Sequence, residues 1–210
     1  VSMRSSPAPL PILAIAGFGI ATAAIIAAPL VLGDQYDWIV RSVSESAAQQ
    51  TTGAWLGRLA LLLSGLSTIA VCIVRARVWG AVATTAFALF GFMWMLTAIY
   101  STRSWIETVS YNELESSLHS VFASAMAIIN LGALVLLIWG RYASRTWRVA
   151  TVGLIAAATL LPLASVILPE FAGVSQRVMF FWTYVWLSRE ALLLSETGKT
   201  ALNPPLKLME

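Results

Sequence analysis

The chain is poor in charge, in cysteine and in histidine, and each shortage removes a class of function. Asp, Glu, Lys and Arg make up 11% of its 210 residues, where soluble domains carry about 25%. With 59% hydrophobic residues, that deficit is too large for a water-soluble core of this length and reads as an all-α integral membrane protein. Cys72 is the single cysteine and lies in an apolar run, which excludes an intrachain disulfide and a cysteine metal site. His119 is the single histidine, so bis-histidine haem, multi-histidine zinc and di-iron centres are nearly excluded within one chain. No metal and no cofactor is expected. No G-x-S-x-G elbow, H-E-x-x-H helix or glycine-rich phosphate loop occurs. The net charge of +3 is modest. The basic residues flank apolar runs, where topology explains them, so nucleic acid is not an expected partner.

What is present is a set of apolar runs. The first, Leu10 to Gly33, has 24 residues; about 20 cross the hydrocarbon layer, whereas a signal peptide has an apolar region of about 7–15. Further spans are expected at 55–74, 78–100, 118–140, 149–168 and 178–194, which makes six in a domain over residues 10–194. Arg75-Ala76-Arg77 marks a tight turn between the second and third. Pro29 and Pro162 are expected to bend the first and fifth. The sixth is interrupted by Arg189 and Glu190, about 18 Å of helix from Arg177. Its Phe180, Phe181, Trp182, Tyr184 and Trp186 read as lipid-facing and interfacial packing. Ser64, Gly65, Ser67 and Thr68 would let the second helix pack closely on a neighbour. Residues 1–9 and 195–210 are polar ends.

Charge orients the six spans. Arg4, Arg75, Arg77, Arg141, Arg145, Arg148, Arg189, Lys199 and Lys207 fall on one side, and Arg41, Arg58, Arg103 and Arg177 on the other. The positive-inside rule puts both ends in the cytoplasm. Most acids fall outside: Asp34, Asp37, Glu45, Glu107, Glu113, Glu115 and Glu170. The inner turns are short, and two outer loops are long and polar, so function is expected at the outer face. Tyr36 to Gln50 lacks Gly and Pro, and Arg41 and Glu45 are four apart. This predicts a short interfacial helix with Trp38 at the headgroup level. Trp55 and Trp105 are further interfacial anchors.

Six residues are candidate ligand-binding groups: Ser44, Glu45, Arg58, His119, Asn130 and Arg177. The plain reading pairs Arg58 with Glu45 or Asp34, gives His119 a capping or hydrogen-bonding role, makes Gln176-Arg177 an interfacial anchor, and gives Asn130 an interhelical hydrogen bond. The sharper reading gathers them around one outward pocket, where two arginines hold a lipid phosphate. Ser44, Glu45 and His119 would then be a nucleophilic set. The reading taken is a non-catalytic protein that binds a lipid, an apolar ligand or a partner membrane protein, a second copy included. A lipid-modifying enzyme and a small transporter, the latter resting on Asn130 and Pro162, are the alternatives.

The order of features resembles a family. Tyr36-Asp37, then Val43-Ser44-Glu45-Ser46-Ala47, then Thr52-Gly53-Ala54-Trp55 is similar to the opening signature of the bacterial six-span family DUF998. His119 and Gln176-Arg177 also fit. Ser46-Ala47 stands where the family pattern has Leu-Gly. The resemblance spans roughly residues 10–194. It implies a six-helix fold in a bacterial inner membrane, distant similarity to Frag1/DRAM/Sfk1-type membrane proteins, no established reaction, and interest in Ser44, Glu45, His119 and Arg177.

Overall fold

The computed structural model describes residues 9–140 and 145–193. Among them the chain is all-α. The described residues form five helices: α1 (Pro9–Leu32), α2 (Trp55–Ile99), α3 (Glu113–Gly140), α4 (Arg145–Ile167) and α5 (Ala172–Leu192). Short 3-10 turns lie at Glu45–Ala47 and Pro169–Phe171. Residues 1–8, the tail 195–210 and Arg141 of the basic turn lie outside the described residues.

The expected second and third spans form one element, α2. Its 45 residues would reach ~68 Å if straight, more than twice a hydrocarbon layer of about 30 Å. Gly80 resolves the conflict. At φ 78°, ψ 166° it breaks the helix in a conformation that only glycine adopts without strain. Arms 55–79 and 81–99 fold back on each other, with Gly65 and Gly91 face to face; a methyl on either would press on the other's carbonyl oxygen. The reversal therefore lies at Gly80, not at residues 75–77. Arg75 stays on the helix because its side chain turns inward and is buried.

Capping, rather than hydropathy, sets two other boundaries. The helix carrying the expected fourth span begins at Glu113, because Asn112 Oδ1 accepts the Glu115 N–H at 3.1 Å and satisfies one of its open donors. Glu113 and Glu115 in the first turn suit the positive end of the helix dipole. The last helix begins at Ala172 after a proline-led turn, so Gln176 and Arg177 lie inside it. α1 ends where Gly33, at φ 77°, returns its N–H to Pro29 O at 3.1 Å, a glycine stop. α1 and α4 each run through their internal proline.

α1 packs on α2 and α5, α3 on α2 and α4, and α4 on α5. The buried face of α1 is Ala14, Gly17, Phe18, Ala21, Ala24, Ile25 and Ala28, a stripe at helical spacing. Gly17 meets Ser67 of α2. Ser64, Gly65, Ser67 and Thr68 are all buried, the close-packing strip that the sequence predicts. The aromatics of α5 differ from expectation. Phe180, Tyr184 and Trp186 are core residues, stacked or edge-on with Phe18, Phe87 and Trp94; Trp182 is the exposed member. Facing inward, the Tyr184 hydroxyl reaches Ser64 and the Trp186 indole N–H reaches Thr151.

Large apolar side chains such as Leu30, Ile73, Val82, Trp139 and Val166 are exposed. Four helices, α1 to α4, are long and apolar enough to cross a membrane. α5, with Arg177, Arg189 and Glu190, is more polar. A lipid surround makes this exterior favourable, and the chain is a multi-pass membrane protein.

Candidate functional site

The loop joining α1 and α2 is not a helix lying flat. Only Glu45–Ala47 is helical, as a single 3-10 turn, and the rest is wrapped over the start of α5. Arg177, buried, sits at the centre. Its Nη1 donates to the carbonyls of Trp38 (2.8 Å), Arg41 (2.9 Å) and Gly173 (3.0 Å), and its Nη2 to the Tyr36 hydroxyl (2.8 Å). The guanidinium also lies over the Tyr36 and Trp38 rings, 5.8 and 6.0 Å from their centroids. No carboxylate pairs with it among the described residues; carbonyl dipoles and ring faces carry the balance. Tyr36 passes its own proton to Ser42 O at 2.6 Å. Burial pushes the Tyr36 phenol above its ordinary pKa, against the pull of Arg177 beside it.

Gln176 completes the seam. Its Oε1 accepts the N–H groups of Val43 (2.6 Å) and Ser44 (3.3 Å), and Val174 N–H donates to Ile39 O at 3.1 Å. Gly173 permits this closeness, since a side chain there would overlap the carbonyls of Trp38 and Arg41. Backbone groups spent on α5 in this way are not available for a helix along 36–50, which is why the helical spacing misleads.

The loop between α2 and α3 is tied to the first loop by Gln49. Its Nε2 donates to Ser101 O (2.8 Å) and Asn112 O (3.1 Å), and its Oε1 accepts Asn112 N–H at 2.7 Å. Gln49 N–H reaches Thr102 O at 2.9 Å, and Glu115 Oε1 accepts Ser101 N–H at 2.8 Å. Trp105 packs on Tyr36 at 5.1 Å between centroids. Between the joined loops lies an open cleft of about 520 Å³, lined among others by Arg41, Glu45, Arg103, Trp105, Glu107 and Tyr111.

The six predicted site residues do not share one pocket. Glu45 lines the cleft, but its Oε1 takes Arg41 Nη1 at 3.1 Å and its Oε2 takes Ser42 N–H at 2.7 Å. Ser44 starts the 3-10 turn beside Gln176. His119 is buried beneath the second loop, with Nδ1 2.7 Å from Tyr100 O and 3.1 Å from Thr97 O; two acceptors there place the proton on Nδ1. Among the described residues no hydrogen bond joins Ser44, Glu45 and His119. Arg58 is exposed and pairs with neither Glu45 nor Asp34. Its Nε and Nη2 instead cap the carbonyls of Ala47 (3.2 Å) and Ala48 (3.3 Å), the open acceptors of the 3-10 turn. Asn130 is buried in the bundle, yet its Oδ1 has no partner among the described residues. Of the three tryptophans expected as anchors, Trp38 and Trp55 are exposed at the loop end and Trp105 is half-buried.

Sequence reasoning missed a second polar centre. Glu190, 0% exposed, binds Arg75 Nη2 at 2.9 Å, Trp147 Nε1 at 2.8 Å and Trp79 Nε1 at 3.3 Å. The sequence places Arg75 in a tight turn and Glu190 at an interruption of the last span. The available signal was that an acid inside an apolar helix needs a partner cation.

A bundle of apolar helices with a hydrogen-bonded double-loop cap defines a multi-pass membrane protein with a polar cleft at one end. The model of the family described as Protein of unknown function (DUF998) matches residues 15–192, and the chain belongs to that family. No curated protein matches it, and no solved structure matches it.

Proposed function

We propose that the chain is a six-span, non-catalytic protein of a bacterial inner membrane, with both ends in the cytoplasm. In this reading its outer cleft binds the zwitterionic headgroup of a membrane phospholipid. The division of α2 at Gly80 supports six spans, each arm being long enough to cross. The basic inner turns support the orientation.

One observation carries the ligand: the cleft presents a cation and an anion that the fold does not use. Arg103 and Glu107 both line it, both are exposed, and neither forms an ion pair among the described residues, whereas Arg41 and Glu45 neutralise each other. A guanidinium suits a phosphate, and a carboxylate beside Trp105 and Tyr111 suits an ammonium. The test is native mass spectrometry of protein released from a membrane of mixed phosphatidylethanolamine and phosphatidylglycerol. Wild type is expected to retain phosphatidylethanolamine, with Arg103→Gln and Glu107→Gln each reducing it several-fold. An identical lipid profile for all three proteins would refute the reading.

A further inference from the structure

A second site lies inside the bundle, apart from the loop cleft. A small, partly open cavity of about 30 Å³ is lined among others by Phe90 and Trp94 of α2, Met126 and Asn130 of α3, Ala158 of α4, and Thr183 of α5. Its walls are mainly apolar, and two of the side chains that line it each carry a buried polar atom without a hydrogen-bond partner among the described residues: Trp94 Nε1, a donor, and Asn130 Oδ1, an acceptor. Trp94 is 1% exposed and Asn130 6%. Two orphaned buried groups on the walls of one cavity call for an explanation, since a buried polar group left unpaired is costly. Thr183 also lines the cavity, but its hydroxyl proton goes to Met179 O at 2.8 Å.

We propose that this cavity takes the hydroxyl end of a long-chain membrane alcohol. A hydroxyl accepts one hydrogen bond and donates one, which is the pair on offer: it receives the Trp94 N–H and gives its proton to Asn130 Oδ1. Its remaining bond goes to carbon, and the fold provides room for a chain. A half-open, mainly apolar slot of about 210 Å³ lies beside Pro162, Leu161 and Ala172, and Met179 lines both it and the cavity. Met179, the residue they share, is of the type best able to move aside or pack along a chain. Pro162, the expected kink of α4, lines this slot.

The test uses the full chain in lipid nanodiscs with ¹⁵N-labelled tryptophan, the Trp94 indole signal being assigned from Trp94→Phe. The probes are 1-decanol and n-decane. Decanol is expected to shift the Trp94 N–H signal saturably, and decane to leave it in place. Asn130→Leu should weaken the decanol response roughly three- to tenfold, the worth of one hydrogen bond. Met179→Phe keeps both polar groups and fills the passage, so it should abolish the response; the other indole signals report whether either variant is folded. Equal shifts with decane would mean apolar filling alone and overturn the proposal. So would a Trp94 signal that neither probe moves, the mark of a resident water or a closed cavity, or a full response in Met179→Phe.

Discussion

Arg75 Nη2 and Glu190 Oε2 lie 2.9 Å apart where the bundle leaves Glu190 no accessible surface. The same carboxylate receives the indole N–H groups of Trp79 and Trp147. One side chain on α5 thus holds the first arm of α2 and the start of α4. Trp79 and Trp186 then stack at 6.1 Å, and Phe87 and Trp186 at 5.7 Å, so the polar knot is continuous with the aromatic core. Glu190, one of the residues that made α5 look least suited to a membrane, is the one that fastens it to the bundle.

Removing half of this pair leaves a buried, uncompensated guanidinium. Glu190→Leu is therefore expected to destabilise the protein by about 3–5 kcal/mol. Arg75→Met combined with Glu190→Leu removes both charges and should be less destabilised than Glu190→Leu alone, because an apolar pair carries no unpaired ion. Thermal unfolding in one mild detergent, followed by size-exclusion chromatography, compares the three proteins. If Glu190→Leu unfolds at the wild-type temperature, the pair does not hold the bundle.

Helix content and the small-residue strip at Ser64, Gly65, Ser67 and Thr68 were legible because burial in a membrane protein is written in local composition. The hairpin was legible too, but its position was not. Charge pointed to residues 75–77, whereas backbone geometry selected Gly80 and left Arg75 free to turn inward. The loop site was partly legible. Glu45 and Arg177 are both in the cap, but the helical spacing of Arg41 and Glu45 said nothing about carbonyls claimed by Arg177 from α5. Long-range hydrogen bonds of that kind leave no periodic trace. The Trp94–Asn130 cavity was half visible: a polar residue at mid-depth in an apolar run stood out, and a tryptophan did not.

Gly80 separates backbone strain from packing. A Cβ at Gly80 would meet nothing within 4 Å, as at Gly19 and Gly132, but of these three Gly80 alone has a positive φ, 78°. Gly80→Ala should cost about 1–3 kcal/mol through strain alone. Gly19→Ala, in the middle of a helix, should be neutral or stabilise by roughly 0.5–1 kcal/mol. The same unfolding measurement reads both, and equal effects would show that the reversal does not depend on glycine.

Tyr36 gives the loop cap a pH limit. Its phenol is held above the ordinary value of 10.0 chiefly by burial, so the folded state keeps that proton longer than the unfolded chain does. The contribution is complete below the unfolded value and falls away as pH rises through the folded one, because an ionised phenolate could not give its proton to Ser42 O. Hydrogen exchange at residues 36–48 should therefore quicken above about pH 10, beyond the increase that hydroxide alone produces in an unstructured peptide. Tyr36→Phe should lack that extra step and exchange faster than wild type at pH 7, having lost the bonds to Ser42 and Arg177. Arg177→Lys should loosen the same segment at every pH, since an ammonium has three donors and no planar fork. If Arg177→Lys leaves exchange in 36–48 unchanged while Tyr36→Phe accelerates it, the guanidinium is not what seats the loop on α5.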